Sequence, residues 1–147
     1  MYDLNPLSLV INEHLRRYLR CRGRVMKILI VDDSKPMRRL VERTMHRAGF
    51  DEHEYAEACD GLEAIEQIQV FEPELILSDW NMPNMNGLEL LKAVRADYPE
   101  IKIGFVTSEQ TDEMIELAMQ NGALFTIGKP FTVEIFQEKI SLIIGES

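Results

Sequence analysis

Five short strand-like runs, each followed by an amphipathic stretch, restrict this chain more than any other feature of its sequence. The runs are KILIV (27–31), HEYAEA (53–58), LILS (75–78), KIGFVT (102–107) and LFTI (124–127). After them come SKPMRRLVERTMHRAG (34–49), DGLEAIEQIQVF (60–71), NGLELLKAVRADYP (86–99), EQTDEMIELAMQNG (109–122) and TVEIFQEKISLIIG (132–145), which read as helices. A strand with one face in water alternates apolar and polar residues; most of these do not, so both faces are covered. Strands of that kind alternating with helices form a parallel sheet sandwiched between helical layers. Local signals agree: Ser34 starts the first helix, Gly49 and Gly122 end the first and fourth, Pro99 stops the third, and Asp60 with Glu63 resembles a capping box.

At 147 residues the chain suits one packed domain, and 46 % hydrophobic residues is globular composition. A formal net charge of −9 disfavours nucleic acid and anionic membranes as partners. The charge is uneven, however, since residues 14–24, HLRRYLRCRGR, hold five arginines. This sets a boundary near Val25, giving an N-terminal helical extension (1–25) and a second unit (26–147). Asn5 and Pro6 start and Gly23 ends the expected extension helix, with Leu7, Val10, Ile11, His14, Leu15, Tyr18 and Leu19 on one face. That face suits docking or a homodimer. Met26 would itself serve as a start. The two cysteines, Cys21 and Cys59, form no metal-ligand pattern and suit a reducing compartment. No apolar run reaches the ~20 residues of a membrane span, and the arginines follow rather than precede the apolar residues, unlike a secretory signal. A cytoplasmic protein is expected.

In open parallel sheets ligands bind where the strands' carboxyl ends converge. There the first strand delivers Asp32 and Asp33, the third Asp79, the fourth Thr107, and the fifth is followed by Lys129. Three carboxylates repel one another, and a hard divalent cation relieves that repulsion; Mg2+ suits a site with few carboxylates, water and a phosphate. Asp79 could then attack phosphorus to give an aspartyl phosphate. Lys129 and Thr107 supply donors that neutralise and orient phosphoryl oxygens. The acidic pair alone could also be the charged start of a helix, and Lys129 a solvated loop residue. Trp80 reads as a half-exposed loop aromatic beside the site. His14, His46 and His53 have no metal spacing and no acidic partner pattern, and the methionines form no cofactor box.

Residues 26–147, with SDWNMPNMNGLELLK, VTSEQ and GKPF in order, resemble the receiver domain of two-component response regulators, and within it the stand-alone CheY-like chemotaxis type. The resemblance implies a flavodoxin-like doubly wound (βα)5 fold with strand order 2-1-3-4-5. It implies that Asp79 accepts phosphate from a phosphohistidine of a sensor histidine kinase or phosphotransfer protein. Asp33, Asp79 and the backbone carbonyl of Asn81 would bind Mg2+ directly, Asp32 largely through water, while Thr107 and Lys129 would contact the phosphoryl group. Asn81 and Glu109 match positions that tune dephosphorylation. Thr126 stands where the family usually has Tyr or Phe, and Phe125 beside it faces the other side of its strand. Output would run through a downstream protein target on the face of residues 109–140. Two other readings stay open: a phosphorylation-independent receiver scaffold, and a magnesium-dependent phosphohydrolase, which would need an acid where Asn81 stands.

Overall fold

In the computed structural model residues 25–144 are described. The expected N-terminal helix, and any homodimer through it, lie outside the described residues.

β1 (Lys27–Val31) shows why the runs lack polar alternation: Ile28, Leu29, Ile30 and Val31 are all at most 1 % exposed. Successive side chains point to opposite faces, so the strand feeds two cores. Ile28 and Ile30 join a cluster with Val41, Met45, Phe136 and Ile140; Leu29 and Val31 join another with Ile68, Leu90, Val94 and Met114. α1 (Lys35–Met45) and α5 (Val133–Ile144) cover the first face; α2 (Gly61–Phe71), α3 (Gly87–Asp97) and α4 (Asp112–Gln120) cover the second. Burying each large apolar side chain stabilises by about 1.5–3 kcal/mol, which makes the central strands the anchor of the structure.

β2 (Glu54–Ala58), β3 (Leu75–Ser78), β4 (Lys102–Thr107) and β5 (Thr126–Gly128) complete a sheet in the order β2-β1-β3-β4-β5, parallel throughout. This is the expected fold. Because β1 pairs with both β2 and β3, the residues that leave β1 and β3 at their carboxyl ends are neighbours.

Several boundaries differ from the sequence reading. α4 starts at Asp112 rather than Glu109, because the Thr111 hydroxyl caps it by accepting from the Met114 N–H at 3.1 Å. α1 gives way at Met45 to a wider π-type turn over His46–Phe50, in which Gly49 takes φ 102°. β5 is assigned from Thr126, two residues later than Leu124, which is 42 % exposed. Asp60 caps α2 by accepting from the Glu63 N–H at 2.9 Å, but Glu63 reaches back to the Cys59 N–H, one residue beyond a closed capping box. The complete box is Asn86–Glu89 at the start of α3. His46 does have an acidic partner: its Nε2 lies 3.5 Å from Glu42 Oε2, one turn earlier on α1. His53 is buried, and its Nδ1 accepts from the Met26 N–H at 2.9 Å.

Candidate functional site

The site begins where β1 and β3 end side by side. The Asp79 N–H donates to the Val31 carbonyl at 2.8 Å, and the Asp32 N–H to the Ala58 carbonyl at 3.1 Å, so both aspartates continue the ladder. Asp32 is 3 % and Asp79 9 % exposed, while Asp33 opens to solvent. Each of the three offers a carboxylate oxygen within 4.8 Å of the others'. Such crowding of anions needs compensation. Lys129 supplies part of it: its Nζ lies 2.8 Å from Asp32 Oδ2 and 3.4 Å from Asp79 Oδ2. One ammonium against three carboxylates still leaves excess negative charge. The donor set is all hard oxygen and partly open to water, which fits a divalent cation such as Mg2+.

Backbone donors orient both buried acids. The Trp80 N–H bonds Asp79 Oδ1 at 2.7 Å, and the Ser34 N–H bonds Asp32 Oδ1 at 2.9 Å. Thr107 is fully buried at the end of β4; its carbonyl accepts from the Lys129 N–H at 3.0 Å and its Oγ1 from the Glu109 N–H at 3.2 Å. A cis peptide bond joins Lys129 to Pro130. Above these, Asn81 Nδ2 donates to Glu109 Oε1 at 3.2 Å, linking the loops after β3 and β4 across the site. The loop after β3 is also fastened on its far side, where Asn84 Nδ2 donates to Asp60 Oδ2 at 2.7 Å and the Gly61 N–H to the Met85 carbonyl at 3.0 Å. The Glu63 N–H and the Asn84 amide together hold the Asp60 carboxyl below its usual range.

Thr126 stands apart from the acidic cluster. It is half-buried and pairs in register with Phe105, whose ring meets Trp80 edge-on at 5.0 Å. Phe125 points into the opposite core with Ile127, as the strand alternation requires. Gly104 makes room for it, because a Cβ there would lie 2.3 Å from the Phe125 ring.

The response regulator receiver domain family matches residues 28–141. Chemotaxis protein CheY1 of Helicobacter pylori is 40 % identical over 123 residues, covering 82 % of this chain and 98 % of that one. The chain belongs to the response-regulator receiver family. The chemotaxis CheY homolog of Campylobacter jejuni is 41 % identical over 123 residues, covering 82 % of this receiver and 93 % of the relative. Among solved structures, chemotaxis response regulator CheY4 of Vibrio cholerae superposes with a TM-score of 0.71 at 35 % identity, over 81 % of this receiver and 98 % of that chain. The response regulator domain of Thermotoga maritima CheB superposes with a TM-score of 0.68 at 29 % identity, over 82 % and 94 %.

Two polar residues of this receiver site escaped the sequence reading. Asn84 carries no motif of its own, although its φ of 67° marks a turn where Asn is tolerated. Arg38 lies within the run that reads as the first helix and belongs to no motif. Its position one turn after Ser34 aims it back at the β1–α1 turn, where the Asp32 carbonyl accepts from it, but its second acceptor, Glu57, comes from β2 and becomes visible only once the sheet is assembled.

Proposed function

We propose that this receiver is a phosphorylation-dependent response regulator of the chemotaxis type, with Asp79 as the phosphoacceptor. The observation that carries the reading is the gathering of Asp32, Asp33 and Asp79 within 4.8 Å, with Lys129 bridging two of them. Relatives named as chemotaxis proteins at about 40 % identity support the class of pathway. A carboxylate oxygen of Asp79 attacks the phosphorus of a phosphohistidine on a sensor kinase or phosphotransfer protein. The new O–P bond forms as the N–P bond breaks, and the imidazole nitrogen keeps the electron pair. Asp33, Asp79 and the Asn81 carbonyl would hold Mg2+, with Asp32 acting through water. When bound, that ion neutralises phosphoryl oxygen charge and Asp79's own repulsion toward the incoming group. Lys129 Nζ and Thr107 Oγ1 donate to phosphoryl oxygens, and attack of water on phosphorus later returns the free carboxylate. Asn81 and Glu109, joined across the mouth, tune that water's access. The signal is a change in affinity for a protein target rather than turnover of a substrate. Asn81 supplies an amide where a hydrolase needs a proton donor.

Incubating the protein with acetyl phosphate and Mg2+ should add one phosphoryl group by intact mass. Asp79→Asn should abolish it. A wild type that stays unmodified overturns the proposal. Thr126 favours one second reading, a receiver whose partner binding ignores phosphorylation; equal affinity of a partner for wild type and Asp79→Ala would establish it instead.

A further inference from the structure

Arg38 reaches two acceptors that lie on different elements. Its Nη1 donates to the backbone carbonyl of Asp32 at 2.6 Å, and its Nε to Glu57 Oε1 at 2.7 Å. Glu57 belongs to β2 and stands opposite Ile30 of β1 in the sheet register. The Arg38 side chain is only 14 % exposed, so these bonds are largely shielded from water. A guanidinium is planar, with its donors at fixed angles; holding one end on β2 therefore fixes where the other holds the turn after β1. With it, each polar group of Asp32 has a partner. Its N–H bonds Ala58, its carbonyl Arg38, and its carboxylate the Ser34 N–H and Lys129.

We infer that Arg38 is a positioning residue for cation binding at the Asp32–Asp33–Asp79 cluster, acting through the backbone of Asp32 and against the sign of its own charge. A guanidinium beside a cation site repels the cation, so charge alone predicts that removing Arg38 tightens binding. Positioning predicts the reverse. Without the strut the β1–α1 turn is free to shift, and Asp32 and Asp33 lose the placement that lets them act together with Asp79. Partners that orient metal ligands from outside the coordination shell typically contribute 10–100-fold in affinity. Arg39 provides the matched control. It has the same charge, is adjacent in sequence and also faces Glu57, at 3.3 Å, but its side chain is 57 % exposed and the pair lies at the surface.

The inference rests on the metal-binding part of the receiver reading. Its test is a Mg2+ titration of the full chain followed by the fluorescence of Trp80, the single tryptophan, whose N–H bonds Asp79. Urea unfolding of each variant identifies the folded ones. Arg38→Ala should bind Mg2+ about tenfold more weakly or worse, whereas Arg39→Ala should bind as tightly as wild type or slightly tighter. Arg38→Lys keeps the charge but replaces the planar fork with one flexible ammonium; it should also bind more weakly, and it decides the matter if the alanine variant does not fold. Unchanged or tighter binding in folded Arg38 variants overturns the strut and leaves the metal site standing. Absence of any Mg2+ response in wild type, checked by calorimetry, overturns both.

Discussion

Lys129 satisfies two carboxylates at once, and its removal has opposite consequences with and without a cation. In metal-free protein, Lys129→Met leaves buried Asp32 and Asp79 without their ammonium. Breaking a largely buried pair from one side destabilises by roughly 3 kcal/mol. The same change removes a competitor for those oxygens, so Mg2+ should bind several-fold tighter while phosphorylation by acetyl phosphate slows. Urea melts with and without Mg2+ check the first effect and Trp80 titration the second; looser Mg2+ binding would show that Lys129 organises the site rather than competing for it. Gly104 poses a purely steric case. The Phe125 ring lies where its Cβ would be, so Gly104→Ala should cost about 1–3 kcal/mol in urea unfolding. Phe125→Leu should rescue part of that loss when combined with it. Additive losses would mean that the two residues do not share the space.

At the scale of elements, the turn before α2 links stability to pH through Asp60. The Glu63 N–H and Asn84 amide favour its ionised form, which places its folded-state pKa below the ordinary 3.8. A carboxyl with a depressed folded pKa stabilises above its unfolded pKa, and that stabilisation is lost as pH falls through the folded value. Asp60→Ala should therefore destabilise by about 1 kcal/mol at neutral pH, and the difference from wild type should vanish well below pH 3.8. A constant difference across that range would assign the effect to packing rather than charge. The elements themselves were readable wherever one signal dominated. β1 and β3 are apolar runs buried on both faces, and α5 starts where Thr132 accepts from the Ile135 N–H. The observed starts of α4 and β5 differ from the expected ones for separate reasons: Glu109 has a fitting propensity but precedes the Thr111 cap and bonds across the site to Asn81, whereas Leu124 already donates its N–H to the Ile103 carbonyl at 2.9 Å and leads into β5. Strand-end chemistry made the acidic cluster and Lys129 legible from order alone. The Arg38–Glu57 and Asn84–Asp60 contacts depend on which strands become neighbours, and no local pattern encodes that.

For the whole molecule, the sheet order and the cluster together predict that a cation bound there would be coupled to folding. The cores lie between the sheet and its helices, whereas the three carboxylates project from the ends of β1 and β3, strands paired with each other. Forming the sheet therefore concentrates negative charge at one edge, beyond what a single lysine offsets. The unfolded chain has no such concentration, so a cation that relieves it binds the folded state selectively. At a hundredfold excess over its Kd such a ligand adds about 2.7 kcal/mol to stability. Urea unfolding in saturating Mg2+ should exceed that in a chelator by this order, and Asp79→Asn should lose most of the increment. Raising monovalent salt in the chelator should recover only a fraction, because buried or partly buried charges are screened less than exposed ones. An equal gain from monovalent salt alone would mean that diffuse charge of the −9 chain, rather than a cation held at the strand ends, governs its stability.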